Sequence, residues 1–463
     1  MLDLSEYIME KMSSKNCEFV ECRQESTKNL SMVFNESGPK ELTFNEDAGL
    51  SLRLLKDGLW FFTAISNPKK SSVDSILKQG FFNAKPPFKR RLQLYDTPSL
   101  NDAVYIKVDK SLLNIGVEEI SQIPLSAYRE LNSYLKGEYA FVKSFNILFN
   151  ACYREETYTN NLGSKITQAY PFNRFVVNLT GLLNGKRART VETVGGVKGL
   201  EAFKKDKRWD TQRLIARSLE RIKSALQAGD PPRGSVPVVM DPSMTGTLIH
   251  EAFGHMCEAD MVMAGGVITP KHLNKKVAAE SVSIIDDPIN LDGGWVPYDQ
   301  EGVKGEKSIL VEQGVLKSFL VNREYGALLD QRPKGNARAT NYHYPPIIRM
   351  RNTYLKPGDY SFEELIEDVE RGIYVEKFIG GQASLLGAFQ FSSQIGWLIE
   401  KGEITRPLKD VSISGSTFDT LQTMDAIGKN FETDIGTCGK GQWVIVGDGG
   451  PAVRIPNLRV GGI

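Results

Sequence analysis

The stretch Thr245-Gly246-Thr247-Leu248-Ile249-His250-Glu251-Ala252-Phe253-Gly254-His255 holds two of the chain's four histidines, with a carboxylate beside the first. Leu248, Ile249, Ala252 and Phe253 recur at helical spacing, and Asp241 or Ser243 stands where an N-cap belongs. The pattern predicts a partly buried helix fed by a short apolar strand, Val236 to Met240. Neutral imidazole is a zinc ligand, and a glutamate next to a ligand suits a general base acting on water at a metal. The spacing is one residue longer than the His-Glu-x-x-His of common zinc proteases. At about 100° per residue, positions five apart fall roughly 140° from one another on a regular helix, too far round to share an ion. Gly254 offers relief, because a π-type bulge or an early break there brings both rings to one side. Two buried, hydrogen-bonded histidines without a metal are the competing reading.

At 463 residues the chain has room for two or three domains. Its 57 basic and 56 acidic residues nearly cancel, so it lacks the global footprint of a nucleic-acid binder. The acidic start, Met1 to Tyr7, has no continuous apolar core, and no run approaches the ~20 apolar residues of a membrane span. Neither a signal peptide nor a membrane anchor is expected. Five scattered cysteines (17, 22, 152, 257 and 438) argue against a disulfide framework and for a cytoplasmic protein.

Along the chain, residues 4–14 read as a helix and 17–25, 28–35 and 38–45 as strands. Leu50–Leu55 and Leu59–Ile65 form a hairpin turning at Asp57-Gly58. A helix is expected over 71–82, then a basic, proline-rich connector, Lys85 to Arg91. Residues 117–136 suggest a helix and 138–158 and 164–181 strands. Trp209 to Ala228 is the clearest amphipathic helix, and Gly229-Asp230-Pro231-Pro232-Arg233-Gly234 ends it, which places a domain boundary there. Further hairpins are predicted at 308–312/315–321 and 394–400/403–407, both turning at Glu-x-Gly, with a last helix at Ser416 to Ile427. Strands run consecutively, so the fold class is α+β with mixed or antiparallel sheets. The domains are residues 1–230, with sub-regions of about 1–100 and 101–230, and 231–463, which carries the His-Glu helix. Gly181 to Arg187 is too short for a P-loop, and Gly447 to Pro451 lacks a dinucleotide fingerprint.

A catalytic zinc needs a third protein ligand and an open position for water. Cys257, Glu258, Asp260, His272, His343 and Cys438 are the candidates. Glu258 suits a supporting role, and Cys438 sits among glycines beside Lys440, which favours thiolate.

With His250 to His255 and Glu258-x-Asp260, the chain has Asp299-Gln300-Glu301-Gly302-Val303, Arg349-Met350-Arg351-Asn352-Thr353-Tyr354, Cys438-Gly439-Lys440-Gly441-Gln442 and Val460-Gly461-Gly462. In this order they resemble the TldD/PmbA family, specifically its TldD-like, metal-bearing branch. The resemblance implies a zinc peptidase working within a dimer, of like chains or with a PmbA-like (TldE) subunit. It implies Zn2+ held by His250, His255 and Cys438, with Glu251 as the base. Substrates would be unfolded peptides or leader segments bound as an extended strand, for which the glycine-rich strands Gly380 to Gly396 are candidates. The segment from Asp260 to Asp286 departs from the family's bacterial pattern. Tyr354, Arg349 and His343 are candidates for contacting substrate or stabilising the oxyanion. Two rivals are a metal-free hydrolase with Cys438 as nucleophile and a non-catalytic scaffold.

Overall fold

In a computed structural model, described for residues 4–13, 15–79, 92–290 and 292–462, the first half is a seven-stranded sheet. Leu59–Ser66, Gly38–Lys56, Phe19–Asn35, Val142–Asn160 and Lys165–Leu183 follow one another antiparallel. Lys186–Gly196 pairs antiparallel, and Asn101–Tyr105 parallel, with Lys165–Leu183. The strand pieces expected at 17–25 and 28–35 are one strand of 17 residues, and those at 38–45 and 50–55 one of 19. Ser26 and Thr27, left between the two expected strands, each pair on both sides. Asp57-Gly58, Gln313-Gly314 and Lys401-Gly402 all take positive φ in succession, the geometry of a two-residue hairpin turn.

Alternation divides the long strands between two environments. In Phe19–Asn35, Val20, Cys22, Leu30, Met32 and Phe34 enter apolar cores under helices. The helices Val117–Leu135 and Thr211–Gln227 cover one core, Ser5–Met12 and Lys70–Gln79 the other. The predicted 71–82 helix partly, and the Lys85 to Arg91 connector wholly, fall outside the described residues. Glu21, Arg23 and Glu25 point the other way, toward the C-terminal half. Arg53 is clamped there between Glu21 (2.5 Å) and Glu301 (2.7 Å), while Gln168 and the Tyr298 backbone exchange two hydrogen bonds. Arg23 donates to the carbonyl of Tyr344.

Two larger sheets and a two-stranded ribbon, Ala337–Arg338 with Ile347–Ile348, build the remainder among the described residues. Arg371–Ala383, Gly234–Met240, Val453–Gly462, Val411–Ser416 and Ala388–Glu400 run side by side, and the last pairs back on the first, so five strands close into a barrel. Gly381 and Gly396 are packing requirements: a Cβ would lie 2.3 Å from the Gln390 carbonyl and 2.7 Å from Val411 respectively. The other sheet has the order Val315–Leu316, Ser308–Glu312, Ile284–Asp287, Asn352–Leu355, Trp443–Gly450, Glu432–Gly439. The expected strand 315–321 stops at Leu316, and Leu320 instead exchanges backbone hydrogen bonds with Cys257 and Ala259. The helix expected to reach Ile427 ends at Thr423, because Ala426–Ile427 pairs with Val453 and Arg454. Buried Arg351 ties this sheet together through Asp286, Lys334 O and Glu306 O. Gln394 joins the two halves, its carboxamide bonding both the N–H (3.0 Å) and the C=O (2.7 Å) of Val191. Among the described residues no helix is long and apolar enough to cross a membrane.

Arg53 bridges two buried carboxylates, so Arg53→Met strands both charges. The expected loss is about 3–5 kcal/mol of unfolding free energy, read from urea denaturation.

Candidate metal centre

The site helix lies between the barrel and the six-stranded sheet. Asp241 caps it, accepting from Met244 N (2.7 Å) and from Lys377 N (3.0 Å), and Pro242 takes the first turn. Burial pushes the Asp241 carboxyl up to about 7. After one α-helical stretch, Pro242–Thr247, the chain widens into a π-helix over Leu248–Gly254, then tightens into a 3-10 turn over His255–Cys257. The His255 N–H donates to the His250 carbonyl five residues back. A π-turn needs more residues per revolution than an α-turn, so positions five apart come to one side. The two rings stand 5.2 Å apart, nearly perpendicular.

Gly254 differs from the sequence expectation in its reason. Its backbone is ordinary helix (φ −60°, ψ −45°), so no special freedom is used. An added Cβ would lie 2.2 Å from Met350 Sδ, and close packing is what demands glycine. Gly246 likewise lets the helix rest on the Gly449 backbone.

Cys438, on the edge strand Glu432–Gly439, meets both rings. One donor atom from each of His250, His255 and Cys438 falls within 4.8 Å of the others. Cys438 Sγ is 3.2 Å from His255 Nε2, while neither ring nitrogen of buried His250 has a hydrogen-bond partner among the described residues. Burial raises the Cys438 thiol, but the neighbouring imidazoles of His250 and His255 outweigh it and bring it to about 5.

Glu251 is 42% exposed, with Oε2 3.7 Å from His255 Nε2, so it faces the same space from the solvent side. Glu258 is fully buried and accepts from His255 Nδ1 at 2.8 Å, which turns Nε2 toward the thiol. Although burial opposes ionisation, His255 and Lys440 hold the Glu258 carboxyl at about 2. Arg349 lies behind the site: its guanidinium donates to the carbonyls of Cys438 (2.6 Å) and Gln442 (2.8 Å), fixing the strand that carries the thiol. Tyr354 packs edge-on against Phe431 and faces Asp287. His343 lies against the Tyr342 ring. The contacts of Tyr354 and His343 are thus away from the three donors. Cys257 is buried in the core, and His272 caps its own turn through Thr269. Asp448 was not singled out from the sequence. It stands directly across from Asp434, and burial and that neighbour push its carboxyl up to about 7, within the field of His250 and Glu251.

His250, His255 and Cys438 each offer one donor atom to a common space that could hold a metal ion, and Glu251 stands beside it on the solvent side. The models described as PmbA/TldA metallopeptidase domain 1 and C-terminal domain match residues 20–84 and 233–462. A metalloprotease of Methanothermobacter thermautotrophicus is 35% identical over 96% of both chains. A zinc metalloprotease TldD homolog of Saccharolobus solfataricus is 32% identical over 91% of this chain and 92% of that one. The structure of TldE from Thermococcus kodakarensis superposes with a TM-score of 0.77, at 16% identity, over 98% of this chain and all of that one. The chain belongs to the TldD/PmbA family of metallopeptidases.

Gly254→Ala drives a methyl into Met350, and a loss of about 1–3 kcal/mol is expected in thermal or urea unfolding, partly recovered in Gly254→Ala/Met350→Ala. The Cys438 thiol also sets a pH dependence. Its folded pKa is depressed, so its contribution to metal-free stability is fully present above the ordinary thiol pKa and is lost as pH falls through about 5. Alkylation of metal-free protein at Cys438 should therefore change less than threefold between about pH 6 and 8. An ordinary thiol rises on the order of a hundredfold over that range.

Proposed function

We propose that the metal is zinc, held by His250, His255 and Cys438, and that Glu251 is the general base of peptide hydrolysis. The observation that carries this is the convergence of one donor atom from each of His250, His255 and Cys438, with neither nitrogen of buried His250 hydrogen-bonded among the described residues. Zinc bound there supplies a Lewis acid and brings the pKa of water toward about 7. Glu251, open to solvent beside His255, takes a proton from water and returns it to the leaving amine. Glu258 and Arg349 keep the His255 ring and the Cys438 backbone in place while this happens.

The substrate is an unfolded peptide or leader segment bound as an extended strand. Glu432–Gly439 supports this, because it is an edge strand among the described residues and carries Cys438. An added strand there would be held by its main chain, without reading side chains. This serves better than Gly380 to Gly396, whose backbone is largely spent on mutual pairing. Residues 1–230 and 231–463 act as the two domains of a cytoplasmic dimer, formed with a second copy or with a TldE-like subunit. The likeness to TldE is the support for the latter.

The 3.2 Å contact between Cys438 Sγ and His255 Nε2 favours one second reading, a thiolate nucleophile paired with imidazole. Cleavage that resists chelators but is abolished by alkylation would select it.

For the zinc reading, Glu251→Ala should retain zinc by metal analysis. Its cleavage of a flexible peptide should fall by roughly 10²–10⁴-fold. Turnover like that of wild type would remove Glu251 from the role of base.

A further inference from the structure

Lys440 follows Cys438 by two residues, yet its side chain turns back beneath the His255 turn. Its ammonium lies 3.0 Å from Glu258 Oε2, 2.8 Å from Asp260 Oδ1 and 3.0 Å from the Ile348 carbonyl. An ammonium has three protons, so each has an acceptor. The group is 10% exposed and its Glu258 partner fully buried. Glu258 Oε2 takes both Lys440 and His255 Nδ1, while Oε1 has no hydrogen bond among the described residues. The carboxylate oxygen that aims the His255 ring is thus itself held by one cation. That cation comes from the loop after the thiol strand. Ile348 immediately precedes Arg349, which grips the Cys438 carbonyl, so the same short segment braces both donors.

We propose that Lys440 is a positioning residue of the metal centre. It fixes Glu258, Glu258 fixes His255, and the imidazole and the thiolate are thereby set in register before any ion arrives. The inference rests on the reading of His250, His255 and Cys438 as the zinc ligands. Lys440 acts on the His255 ring through Glu258, which distinguishes it from a general structural ion pair. Groups that support a liganding histidine in this way alter metal affinity by roughly 10–100-fold when removed.

The experiment measures zinc affinity by competition with a chromophoric chelator, for wild type, Lys440→Met, Glu258→Gln and Lys440→Met/Glu258→Gln, with circular dichroism of each metal-free protein. Lys440→Met should keep a native spectrum and lose roughly 10–100-fold in affinity. The double variant should bind no more weakly than Glu258→Gln alone, because the lysine has lost the group it acts through. Wild-type affinity in Lys440→Met, beside a wild type that binds zinc, overturns the proposal and leaves the zinc site standing. Losses that multiply in the double variant also overturn it. A wild type that takes up no zinc overturns the site and the proposal together. Should Lys440→Met fail to fold, the double variant and Glu258→Gln still decide: equal affinities uphold the proposal, and a further tenfold loss sinks it.

Discussion

A short π-helix, Leu248–Gly254, closed by a hydrogen bond from the His255 N–H to the His250 carbonyl, sets the geometry on which the site depends. Were the turn α-helical, the second imidazole would point roughly 140° from the first. The wider turn costs hydrogen-bond quality, and so must be held by its surroundings. Met350 presses on Gly254, Gly449 lies under Gly246, and Asp241 pins the start through Met244 and Lys377. Apart from the Asp241–Met244 cap, none of these contacts is local in sequence. The irregular helix is a property of the packed domain more than of its own eleven residues.

The same logic governs the charges. Glu258, Arg349 and Arg351 are among the most buried groups in the molecule, and each is tied to backbone or to an opposite charge. Such groups add little net stability but strongly penalise misplacement, since a shifted partner leaves an uncompensated charge. A buried polar scaffold therefore fixes the positions of the site's elements more narrowly than apolar packing alone would.

The sequence foretold those features that depend on near neighbours. Asp57-Gly58 and Lys401-Gly402 announced their turns, Ser416 its cap, and the apolar repeat of Trp209 to Ala228 its helix. The α+β class followed from strands in succession. Local pattern also suggested that the His-Glu-x-x-x-His helix must be irregular, though it attributed to Gly254 a freedom that the residue does not use. What it could not supply was distance. Nothing near Gly254 announces Met350, and residue chemistry left Cys438 one candidate among several until the ordered set of motifs pointed to it. Ser26 and Thr27 misled for a similar reason, because polar residues survive inside a strand when both neighbours are present to pair with it. Arg349 and Tyr354 look equally suited to meet substrate in a string of letters. In the fold, one is sealed behind the thiol strand and the other stands against Phe431.

The Gln394 carboxamide has a consequence outside catalysis. Lys186–Gly196 lies at the rim of its sheet, where exposed N–H and C=O groups would template a foreign strand. At Val191 both groups are already saturated by one side chain from the other half of the molecule. The clasp acts as a guard against runaway self-assembly, and it holds only while the two halves stay docked. Partial opening would therefore expose a sticky edge before either half had unfolded.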